Sequence, residues 1–83
     1  MDVTDKFTNN ASHSIEWGNA TWDATDFSIR NRYDNATTGK FNKTSSSEIP
    51  WEDFKLMIKQ SILKKQLDNK ELAEILKDIA TVI

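Results

Sequence analysis

An 83-residue chain with no cysteine, one histidine and a net charge of −2 excludes several classes at once. It lacks the overall basic excess of a nucleic-acid binder and the acidic excess of a nucleic-acid mimic. Without cysteine there are no disulfides, thiolate metal sites or cysteine nucleophiles.

The length implies one domain in which hydrophobic gain and conformational cost nearly cancel. Charge is spread evenly: residues 1–49 hold seven acids and five bases, residues 50–83 six of each. No apolar run after a basic N-terminal region reads as a signal peptide, and no window approaches a membrane span. Small extracellular domains usually need disulfides, so the expected compartment is the cytoplasm.

In chain order, residues 1–12 are polar apart from Val3 and Phe7 and read as a flexible N-terminal arm. A single α+β domain is expected over 13–83. Residues 13–17 alternate, with Ile15 and Trp17 on one face and Ser14 and Glu16 on the other, which predicts a short strand. Gly18 to Ala20 turns the chain. A second strand is expected over 26–33, with Phe27, Ile29 and Tyr33 inward and Ser28, Arg30 and Arg32 on a wet face. Asp34 to Gly39 supplies turn residues, and 40–44 is expected to return as a hairpin partner with Phe41 near Tyr33. Thr44 to Glu48 then reads as a flexible link, with a helix cap among Ser45, Ser46 and Ser47.

The strongest periodic signal lies at about 50–65. At a helical 100° per residue, Trp51, Phe54, Met57, Ile58 and Ile62 share one face, while Leu56 and Leu63 share the opposite one. Pro50 suits a helix start, and the first-turn acids Glu52 and Asp53 and the terminal bases Lys64 and Lys65 suit the helix dipole. Two apolar stripes predict contact on two sides. A second helix is expected at about 69–82, capped by Asp68 with Glu71 three residues on. Its face is Leu72, Ile75, Leu76, Ile79, Ala80 and Ile83, and Leu67 plugs the corner. The predicted architecture is a two- or three-stranded antiparallel sheet followed by a C-terminal αα-hairpin packed on one face. In it the first helix is a middle layer.

Chemistry is sparse. His13 alone builds neither a zinc site nor a triad. Glu52 and Asp53 point in different directions. Gly18 and Gly39 are too far apart for a phosphate loop, and the aspartates lack calcium-loop spacing. Four Asn-x-Ser/Thr sequons, at Asn10, Asn19, Asn35 and Asn42, reflect an Asn- and Thr-rich composition. No catalytic residue, cofactor, metal or small-molecule substrate is indicated, so an enzyme is not expected.

Non-covalent binding remains. The plain account of Leu56 and Leu63 is that the second helix covers them. The functional alternative is that they, with Trp22, form an interface with a protein partner or a second copy of the chain. The expectation is therefore a small adaptor, inhibitor or immunity-type partner of a larger protein, including self-association as a homodimer. The alternative from another class is nucleic-acid binding through a basic β-ribbon of Arg30, Arg32, Lys40 and Lys43 with Tyr33 for stacking. Charges on an exposed strand also guard a sheet edge without any ligand.

Overall fold

Four strands follow one another as an antiparallel meander in the order β1-β2-β3-β4, and two helices complete the chain. The computed structural model describes residues 1–83. Strand β1 is Asp2–Asn10, β2 His13–Asn19, β3 Phe27–Tyr33 and β4 Ser47–Pro50; helix α1 is Trp51–Leu63 and α2 Asn69–Val82. The α+β class and both helices agree with the sequence reading.

The strand inventory does not. The expected flexible arm is an edge strand of nine residues paired along its length with β2. Its polar sequence misled because every residue of β1 is exposed: as an edge strand it answers the backbone of β2 and buries no side chain of its own. The expected 40–44 strand is absent. Only a single bridge joins Asp34 to Phe41, and turns built on Asn35 and Asn42 occupy the segment, with Gly39 at φ +71. The fourth strand instead begins at the end of the expected link. Ser47–Pro50 pairs with Ser28–Asn31 and runs without a break into α1, so Pro50 is the N-cap and no serine side chain caps the helix.

Facing residues in neighbouring antiparallel strands share a side of the sheet. The register therefore puts Lys6, Glu16, Arg30 and Glu48 in one row across all four strands, and Trp17, Ile29 and Ile49 in a row on the reverse. The polar side was expected to be wet. It is the more deeply covered one: Ser14, Glu16 and Ser28 are buried, because the β3–β4 connection folds back and lays Phe41 over Arg30 and Arg32 at 4.7 and 4.5 Å. On the apolar side Ile29 is buried, but Phe7, Phe27 and Tyr33 remain exposed.

Helix α1 holds that apolar side at one corner. Trp51 meets Phe27 edge-on at 5.4 Å and Phe54 at 5.4 Å, and the main contacts of the helix are with β3 and β4. No comparable contact joins α2 to α1 or to any strand. The hairpin expected to lie on the sheet is thus an arm leaving its corner, and α1 is not a middle layer. At the bend Lys65 takes φ +59, and the amides of Lys65 and Gln66 donate to Ile62 and Ser61 in a Schellman closure. Asp68 and Glu71 form the expected capping box at the start of α2. Shape follows: the radius of gyration is 14.8 Å, where about 12 Å suits a compact chain of this length. The accessible surface is 6519 Å², where about 5,000 Å² suits a compact monomer of this mass.

One close approach ties β1 down. A Cβ on Gly18 would lie 2.0 Å from the Asp2 carbonyl oxygen, at the point where the β1–β2 register shifts between Val3 and Asp5. Gly18→Ala is expected to push the start of β1 away, raising amide exchange at Val3 to Asp5 while the β2–β3 amides stay protected. Unchanged exchange there would contradict the account.

Candidate functional site

Two surfaces carry the residues singled out from the sequence. The first is the arm. Leu56 is 56% exposed and Leu63 63%, so α2 does not cover that stripe. The opposite stripe, expected to meet the sheet, does so only through Trp51 and Phe54; Met57, Ile58 and Ile62 are exposed as well. Helix α2 likewise leaves Ile75, Leu76 and Ile79 open. Near the bend the two helices border a groove of about 480 Å³ lined by Phe54, Met57, Ile58, Ser61, Leu67 and Ile75. Leu67, expected to plug the corner, is half-buried and lines this groove, which is unfilled.

Sequence reasoning assigned Met57, Ile58, Leu76 and Ile79 to the interior and so missed them as surface. The available signal was an imbalance. Two amphipathic helices bring more apolar side chains than the few inward positions of a narrow sheet can meet. Trp22 lies in the β2–β3 connection, half exposed, with its indole N–H donating to Asp26 at 3.0 Å. Asp23 in the same loop accepts from the Thr25 amide and hydroxyl, which hold its carboxyl below the usual range.

The second surface is the expected basic ribbon. Arg30 and Arg32 do come together, but around Glu16, whose side chain is 4% exposed: Arg30 approaches it at 2.7 Å and Arg32 at 3.4 Å. Arg32 also bonds Asp34 at 2.9 Å, and that hydrogen bond, against the opposing effect of burial, holds its guanidinium above the usual value. The two guanidiniums have carboxylate partners and an aromatic lid, which leaves little of either for phosphate. Lys40 and Lys43 sit on the β3–β4 turns beside Phe41. Tyr33 is on the other side of the sheet, stacked on His13 at 4.8 Å. The ribbon residues therefore do not form one face.

His13 is held on both sides, 2.6 Å from Asn31 and 3.0 Å from Asn9. No cluster of three or more His, Asp or Glu side chains is placed to hold a metal, and no helix is long and apolar enough to cross a membrane. The chain matches no protein-family model, no curated protein and no solved structure.

The buried charges make two measurable predictions. Removing Glu16 leaves two half-buried guanidiniums facing each other, so Glu16→Ala is expected to cost about 3 kcal/mol in denaturant unfolding; a loss under ~1 kcal/mol would contradict the pairing. For Glu48, burial pushes the carboxyl up. The Thr21 hydroxyl and amide and the Ser28 hydroxyl outweigh it and hold the pKa below the ordinary 4.5. The unfolded chain then takes up the proton first, so this stability is complete above about pH 4.5 and lost as pH falls through the folded pKa. Glu48→Gln should be less stable than the parent at neutral pH, with the gap closing in acid; a constant gap would contradict it.

Proposed function

We propose that the protein works by protein–protein contact through the apolar faces of the α1–α2 arm, as a small adaptor, inhibitor or immunity-type partner without catalysis of its own. One observation carries this reading: Leu56, Leu63, Leu76 and Ile79 stand open on elements that touch the rest of the chain at one corner only. Exposed apolar surface of that extent is a contact surface or an aggregation hazard, and two regular helices display it in ordered stripes. Burying one leucine contributes roughly 2 kcal/mol, so a few suffice for specific association. A cysteine-free composition supports a cytoplasmic setting.

Nucleic-acid binding has less to stand on, since Arg30 and Arg32 are paired with Glu16 and Asp34 and Tyr33 faces the other way. The two readings separate in affinity capture from native lysate, comparing the parent with Leu56→Ser/Leu63→Ser. The expected result is a defined polypeptide retained after nuclease treatment and weakened at least tenfold by the double substitution, while the near-ultraviolet spectrum of the tryptophans is kept. Capture abolished by nuclease, or unaffected by the substitutions, would contradict the reading.

A further inference from the structure

The occupant of the arm can be argued further, on the footing that the arm is a contact surface. We infer that it is a second copy of this chain, with α1 of each copy lying antiparallel against α2 of the other in a two-fold four-helix assembly.

Three observations converge. The first is area. The chain exposes about 1,500 Å² more than a compact monomer of its mass. Two copies hiding that excess from each other would bury about 3,000 Å² in total, within the range of obligate homodimers. The second is length. Helix α1 has 13 residues and α2 has 14, so both are rods of about 20 Å that can lie side by side over their whole length, and two-fold symmetry makes that contact twice.

The third is charge. Residues 51–65 carry Glu52 and Asp53 against Lys55, Lys59, Lys64 and Lys65, a net +2; residues 68–83 carry Asp68, Glu71, Glu74 and Asp78 against Lys70 and Lys77, a net −2. Pairing α1 with α1 sets like charges together. Pairing α1 with the α2 of a twin sets opposite charges together twice, by symmetry. Of these charges only Lys55 and Glu52 form an ion pair within the chain, so Lys59, Lys64, Glu74 and Asp78 are free to meet a partner's helices.

Size-exclusion chromatography with light scattering and small-angle X-ray scattering reads the outcome directly. Twice the chain mass of 9.5 kDa is expected. A monomer keeping a radius of gyration near 15 Å would overturn the twin as occupant and leave the arm as a surface for another protein. A monomer contracted to about 12 Å would overturn both, because the arm would then be folded onto its own sheet.

The charge pairing has its own test. Lys59→Glu/Lys64→Glu and Glu74→Lys/Asp78→Lys should each sediment as a monomer alone and recover the doubled mass when mixed in equal amounts. Doubled mass in either variant alone, or failure of the mixture to recover it, would overturn the α1-to-α2 arrangement. Where a reversed chain loses its tryptophan spectrum, Lys59→Gln/Lys64→Gln replaces it. The expected result is then a dimer dissociating at least tenfold more readily than the parent, and an unchanged dissociation constant would overturn the arrangement.

Discussion

The arrangement depends on the aromatic joint at which β4 becomes α1. Pro50 ends the strand's pairing with Ser28 and caps the helix, leaving no loop between the two elements. Phe27, Trp51 and Phe54 then set the angle of departure by edge-on and tilted contact. A flexible link would have let the hairpin swing back over the sheet. A direct strand-to-helix junction, pinned by three rings, carries it away from the corner. Most apolar residues beyond Phe54 inherit that direction and with it exposure, Leu67 and Leu72 being half-buried exceptions.

The two sides of the sheet satisfy different requirements. The polar side is closed by the chain itself. Glu16 gathers two arginines, Phe41 lies over them, and Ser28 and Thr21 donate to Glu48. A buried charge cluster of this kind adds little net stability over an apolar equivalent, while removing one member leaves the others unpaired. It therefore fixes where the long β3–β4 connection must lie. The apolar side is closed only at the Trp51 corner. The sheet thus pairs its buried charges within the chain, while much of the apolar surface of the two helices stays open.

Legibility in the sequence tracked how local each cause was. Both helices, the Asp68–Glu71 capping box and the β2 and β3 alternation were readable, because period, cap and turn chemistry act over a few residues. Strand β1 was not. An edge strand whose side chains stay in water has no hydrophobic pattern to announce it, and its pairing depends on the neighbouring strand β2. The buried face was inverted for a related reason. Ser14, Glu16 and Arg30 look like a solvent face until Phe41, supplied by a distant turn, covers them. The Leu56/Leu63 stripe was visible as surface needing a partner, but nothing in its spacing said that α2 would fail to provide one. That failure comes from the Pro50 junction and the Schellman bend at Lys65, which set directions and not periodicities.

The central claim is that α2 does not lie on the sheet of its own chain. Methyl-labelled nuclear Overhauser spectroscopy on a mixture of labelled and unlabelled chains tests it most directly. Contacts from Leu76 and Ile79 methyls to Ile15 and Trp17 within one chain should be absent, and contacts from those methyls to another molecule should be present. Strong contacts from α2 to β2 within a single chain would contradict the account.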